Sequence, residues 1–176
     1  MAFFSEGQNR VKLLMIYIVG CFHTPVTREQ LFTVFSAVDR TDYFTVCQLA
    51  AELEDEQYML SVPVKNQQLL FLTEKGMRLI ETFEHEIARS VRDEVRGLAD
   101  ETREEVRRRN CVTADVRPGP DGSWMMDFSL IEKDSVIFEM RMRFPDAASA
   151  QRAERKWLGK ADEIYLDIYR SLAEEN

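Results

Sequence analysis

Met59 to Gly76 reads MLSVPVKNQQLLFLTEKG, and the organisation of the chain is best worked out from this stretch. Two short apolar runs, Met59 to Val64 and Leu69 to Leu72, flank the polar Lys65-Asn66-Gln67-Gln68, the pattern of a β-hairpin with a polar tip. Thr73 follows the second run directly and is placed to cap a helix beginning at Glu74. A hairpin that feeds straight into a capped helix has its meaning set by what comes before it.

Three helical stretches come before it. Asn9 to Phe22 is apolar nearly all round, as a buried helix would be. Thr27 caps a second helix, with Gln30 three residues on in the capping-box position and Leu31, Val34, Phe35 and Val38 on one face. A third runs from Tyr43 to Gln57 and buries Val46, Leu49, Ala50 and Leu53. After the hairpin, residues 74–109 read as one long helix with the seam Ile80, Phe83, Ile87, Val91, Val95, Leu98 and Val106. The last third alternates: strands at Cys111 to Arg117, Ser123 to Glu132 and Val136 to Phe144 are separated by turns at Pro118 to Gly122 and Lys133 to Ser135. Val136, Phe138, Met140, Met142 and Phe144 are expected on one face of an antiparallel sheet. A final helix from Asp146, with the seam Ala150, Ala153, Trp157, Ala161, Ile164, Ile168 and Leu172, is the expected cover for that face. The fold class is therefore α+β: a winged helix-turn-helix, a long connecting helix, and a three-stranded antiparallel sheet with a C-terminal helix. The corresponding domains are 1–76, 77–109 and 110–176.

The chain resembles known bacterial proteins at several of these points. Leu70-Phe71-Leu72-Thr73-Glu74-Lys75-Gly76 looks like the L-T-x-K-G signature of bacterial winged-helix regulators. Thr41-Asp42-Tyr43-Phe44, Leu72 to Gly76, Thr113-Ala114-Asp115, and Trp157 ahead of Ala161-Asp162-Glu163-Ile164-Tyr165 resemble one uncharacterised bacterial family, a domain of unknown function with an N-terminal winged helix. Its architecture is related to that of PadR- and MarR-like regulators. The likeness spans nearly the whole chain and implies a transcriptional regulator, without catalytic residues or a known ligand.

Charge weighs against nucleic acid. The 176 residues are 45% hydrophobic and 31% charged, with a formal net charge of -8. Sequence-independent binding to DNA rests on clustered positive charge. By segment the balance is -3 for residues 1–73, -1 for 74–109 and -4 for 110–176, so half of the excess acid lies in the last third. The third helix has no lysine or arginine, and its end carries Glu52, Glu54, Asp55 and Glu56. Candidate DNA contacts are Thr45 and Gln48, which could meet phosphate, a thymine methyl or an adenine edge, with Tyr43 beside them. Arg28, Arg40, Lys65, Asn66 and Lys75 would position the backbone.

Other readings are narrower. A winged-helix protein-interaction module without DNA binding is the alternative, since fold does not dictate function. A ligand-sensing dimer is a further one, because Met125, Met126, Met140 and Met142 with Phe128, Phe138, Phe144 and Trp157 make an adaptable interior, although core packing accounts for them more simply. A homodimer is expected, with Phe83, Ile87, Val91, Val95, Trp157, Ile164 and Ile168 as the candidate seam. No phosphate loop, nucleophile motif or metal-ligand spacing is present, so no enzyme, metal or cofactor is expected, and no effector can be named. His23 reads as a loop residue and His85 as a solvated one.

Cys21, Cys47 and Cys111 form no CxxC pair and fit a reducing cytoplasm. The longest apolar run, Leu13 to Phe22, falls short of the ~20 residues of a membrane span. Ile18-Val19-Gly20-Cys21 resembles a lipoprotein cleavage site, but a buried first helix is the expected reading.

Overall fold

The computed structural model describes residues 6–64, 67–132 and 135–173. In chain order the elements are α1 (Glu6–Phe22), α2 (Arg28–Val38), α3 (Tyr43–Asp55), β1 (Met59–Val64), β2 (Gln67–Leu72), α4 (Glu74–Phe83), a one-turn 3-10 helix (Glu84–Glu86), α5 (Arg89–Cys111), β3 (Val112–Pro118), β4 (Trp124–Glu132), β5 (Ser135–Phe144) and α6 (Ala147–Ala173). The chain divides into two compact units, Met1–Val106 and Arg107–Asn176.

The first unit is organised around α1. Every side chain from Lys12 to Val19 is buried, because α2, α3, α4 and β2 all pack against this helix. Ile18 and Val19 of the cleavage-site lookalike belong to this core. His23, left-handed at φ 53°, ends α1 and is exposed, its N–H donating to the Gly20 carbonyl. Thr27 makes both bonds of the expected capping box: the Gln30 N–H donates to its Oγ1 at 3.2 Å, and its own N–H donates to Gln30 Oε1 at 2.8 Å. Val26 exchanges both backbone hydrogen bonds with Leu70, so the chain entering α2 adds one residue of strand to the hairpin. Within the hairpin Met59 pairs with Leu72 and Val64 with Gln67, which tightens the expected four-residue tip. Lys65 and Asn66 lie outside the described residues, as do Lys133 and Asp134 of the β4–β5 turn.

The predicted helix over 74–109 is interrupted. After Phe83 (φ -120°, ψ 2°) comes the 3-10 turn, and Ile87 is extended (φ -80°, ψ 126°) before α5 begins. No glycine or proline marks the break. Its cause is tertiary: Ile87 turns into the core, and Glu84 lies 3.6 Å from Arg92 and 3.5 Å from Arg96, across the joint. The long helix is therefore α5 alone, and it buries Val95, Ala99 and Val106.

The second unit is the expected sheet, in the order β3-β4-β5 with both pairs antiparallel. Asp146 caps α6 by accepting from the Ser149 N–H at 2.8 Å. The α6 helix covers one face, mainly along β3. Trp157 anchors it, with its ring centroid 4.8 Å from Phe128 and 5.6 Å from Phe138 and its Nε1–H donating to the Thr113 carbonyl at 2.9 Å. The expected alternation in β5 fails at two residues. A bulge moves the register from Leu130–Phe138 to Ile131–Val136, so Val136 leaves the apolar face and is 58% exposed. Met142 is exposed as well, because the edge strand β5 receives least cover from α6. On the wet face Asp127 bonds Arg141 and lies 2.7 Å from Arg117. The α6 seam packs on the sheet as far as Ile164. Beyond the non-helical Lys160 (φ -142°, ψ 27°), Leu166, Tyr169 and Leu172 are exposed, the last at 83%.

Among the described residues no helix is long and apolar enough to cross a membrane.

Two helical glycines should respond oppositely to alanine. A Cβ on Gly76 would run into the Tyr58 carbonyl oxygen and lie 2.7 Å from Leu72 Cδ1, whereas one on Gly97 meets nothing within 4 Å. Urea unfolding of Gly76→Ala should show a loss of roughly 1–3 kcal/mol from overpacking. Gly97→Ala should gain up to about 1 kcal/mol from helix propensity. Equal midpoints for the two variants would contradict this packing of α4 on the hairpin.

Candidate nucleic-acid interface

Asp42 starts α3. Its carboxylate accepts from the N–H groups of Phe44 (3.0 Å) and Thr45 (3.1 Å) and from the Thr45 hydroxyl (2.6 Å). The Thr45 hydroxyl and these backbone donors hold the Asp42 carboxyl below the usual aspartate range. At 3.6 residues per turn, Val46, Leu49, Ala50 and Leu53 face the core, while Phe44, Gln48, Ala51 and Asp55 form the opposite, exposed stripe. Tyr43 turns inward, its ring edge-on to Phe32 at 5.1 Å. Phe44 is 84% exposed at the head of the stripe.

The acidic end of α3 is neutralised from within. Lys12 of α1, only 3% exposed, lies 3.0 Å from Glu52 and 2.8 Å from Glu56. Arg28 at the start of α2 lies 2.6 Å from Glu54. The Lys12 ammonium, with a smaller contribution from Gln48, holds the Glu52 carboxyl below its ordinary range. Three of the four carboxylates that would face a phosphate wall are thus internal counter-ions, and Asp55 stays on the open stripe.

The expected contact residues that the structure describes lie along α3 and near its two ends, and most have partners inside the chain. Arg40 lies in the α2–α3 turn, exposed and, among the described residues, without an ion pair. Thr45 is taken up by the Asp42 cap, and the Gln48 amide donates to Glu52 at 3.1 Å. Arg28 is held by Glu54 at the other end. Nearby, Lys75 donates to the Glu56 carbonyl at 2.7 Å and sits 4.2 Å from the centre of the Tyr58 ring. The tip residues Lys65 and Asn66 lie outside the described residues. Two important side chains escaped the sequence reading. Phe44 could have been found, since it shares the polar face of α3 with Gln48. Lys12 could not, because nothing local distinguishes it from a helix-surface lysine.

The expected dimer seam is largely spent inside the chain. Ile87 and Val95 are buried in the first unit's core and Trp157 in the second's. Val91, Ile164 and Ile168 are half-buried, and Phe83 is exposed. The apolar surface left open includes Leu158, Leu166, Tyr169 and Leu172 of α6; of these only Leu172 belongs to the expected α6 seam, and none is among the candidate dimer residues. His85 is exposed in the 3-10 turn. Among the described residues no three His, Cys, Asp or Glu side chains are grouped to hold a metal ion.

The class is thus an α+β chain whose first unit runs helix, helix, helix, hairpin, a layout compatible with a winged helix, with an open outer face on the third helix. The chain belongs to the DUF4364 family, a domain of unknown function, whose sequence profile matches residues 11–172. No curated protein and no solved structure matches it.

The Asp42 cap has a pH signature. A carboxyl whose pKa is lowered by folding contributes stability above its unfolded pKa and loses it as the pH falls through the folded value. Asp42→Asn should therefore lower the urea midpoint at about pH 7, and by less at about pH 2, as the Asp42 carboxyl takes up its proton. A deficit that is the same at both pH values would remove the charged cap from the account.

Proposed function

We propose that the chain is a winged helix-turn-helix transcriptional regulator that binds DNA as a homodimer in the cytoplasm. In this reading α3 enters the major groove and the β1–β2 hairpin is the wing, an architecture related to that of PadR- and MarR-like regulators. One observation carries the proposal: α3 turns Phe44, Gln48 and Ala51 outward while Lys12 and Arg28 hold its Glu52, Glu54 and Glu56. The field that a phosphate meets is local, and three of the charges that made this helix look repulsive already have cationic partners. In this reading Gln48, on exchanging its bond to Glu52, reads an adenine edge and Phe44 touches a thymine methyl, with Arg40 on the backbone beside them. Two copies related by a two-fold axis would present two such helices to a palindromic site. The apolar side chains left open on α6 support a second copy as the partner.

The alternative is a protein-interaction module that uses the same face without DNA. The exposure of Phe44 favours it, since a bare aromatic on a helix surface is a common anchor for a partner.

Selection of bound duplexes from a random pool, followed by a salt titration of the best one, separates the two. The regulator should enrich a palindrome, and its affinity should fall with salt at about 0.9 log per log for each phosphate contact. Arg40→Glu should weaken binding and flatten that slope, and Phe44→Ala should weaken it with the slope unchanged. If a folded dimer enriches nothing at about 50 mM salt, the regulator reading fails and the interaction module replaces it.

A further inference from the structure

A cavity of about 240 Å³ opens where the long helix is interrupted. Its walls are aliphatic, built from Leu14 of α1, Val38 at the end of α2, Ile87 of the break and Val91 of α5. Arg10 of α1 and Glu86 of the 3-10 turn also line it, and both are exposed. Among the described residues neither makes an ion pair or a side-chain hydrogen bond. The cavity thus joins an apolar wall to a cation and an anion that belong to different elements, do not pair with each other and have no ionic partner among the described residues.

This combination selects its ligand. A simple carboxylate would gain Arg10 but meet Glu86, and a simple amine would gain Glu86 but meet Arg10. A zwitterion satisfies both, and the aliphatic wall requires an apolar body behind the charged head. Size agrees: an apolar cavity of about 150 Å³ holds benzene, so this one takes a branched aliphatic or single-ring side chain and leaves room for part of the head group.

We propose that the cavity binds a free α-amino acid with an apolar side chain, its carboxylate on Arg10, its ammonium on Glu86, and its side chain against Leu14, Val38, Ile87 and Val91. The site exists because the chain breaks at residues 84–88, since an uninterrupted helix would not bring an extended Ile87 and the turn carrying Glu86 to this position. The proposal is independent of DNA binding.

Calorimetric titration of the full chain tests it, with L-leucine and L-phenylalanine as ligands. Leucinamide lacks the carboxylate, and N-acetyl-leucine lacks the ammonium. The expected result is saturable binding of at least one free amino acid, with both leucine derivatives at least roughly tenfold weaker than leucine. Arg10→Gln should remove the preference for leucine over leucinamide, and Glu86→Gln the preference over N-acetyl-leucine. Both side chains are exposed, so thermal melts should show each variant folded. Absence of saturable binding by either amino acid would overturn the proposal. So would binding that both folded variants leave unchanged.

Discussion

Lys12 lies in the interior of the first unit, and its ammonium reaches two carboxylates one helical turn apart, Glu52 and Glu56 of α3. Taking an ammonium out of water costs several kcal/mol, which these carboxylate contacts offset. That pairing constrains how α3 is turned about its own axis. Seen down the helix, Glu52 and Glu56 lie on one flank of the core-facing stripe and Glu54, held by Arg28, lies on the other. Clamps on both flanks leave little freedom of rotation. Phe44, Gln48, Ala51 and Asp55 therefore face outward as a consequence of charge pairing as well as of apolar packing.

The same pairing changes what the acidity of the chain means. Summed over the sequence, the carboxylates of α3 look like a repulsive surface for any polyanion. Placed in the fold, three of them hold α1 and α2 against α3 and already have cationic partners. They do not turn the face into a positive one: Arg28 is half-exposed but committed to Glu54, Lys75 is committed to the Glu56 carbonyl and the Tyr58 ring, and Asp55 has no cationic partner among the described residues. What results is a near-neutral face led by an aromatic. Shape and apolar contact must then contribute more to its recognition of a partner than long-range attraction does.

Features determined within a few residues could be read from the sequence. Thr27 with Gln30, Thr73 before Glu74, and Asp146 before α6 are caps whose donors and acceptors lie within one turn, and all three form. The two apolar runs of the hairpin and the strand segments of the last third likewise carry their pattern locally. Features imposed from a distance could not be read. Glu84 to Ala88 contains nothing that forbids a helix, and the break becomes favourable only when Ile87 reaches the core and Glu84 finds Arg92 and Arg96. The β5 bulge changes which residues face α6 although the written alternation stays perfect. Lys12 is a further case, its role resting on carboxylates forty or more positions away along the chain. In the candidate interface the residue types were legible but not their commitments, because a side chain's availability depends on neighbours that only the fold supplies.

One helix connects these features. Arg10 at the cavity and Lys12 beneath α3 are two residues apart on α1, about 3 Å along its axis. Because α1 is enclosed by α2, α3, α4 and β2, it has no soft side into which a local shift can dissipate. An occupant that pulls Arg10 toward Glu86 therefore acts on the element whose next turn orients α3. The coupling can be no larger than the occupant's differential affinity for two placements of α1. The buried Lys12 ammonium limits those placements, since a shift that opens both of its carboxylate contacts would strip a charge in the core of these partners. Close packing and a buried ion pair thus favour a few discrete arrangements of the first unit over a continuum, the condition under which a small ligand at the helix break could alter the exposed face of α3.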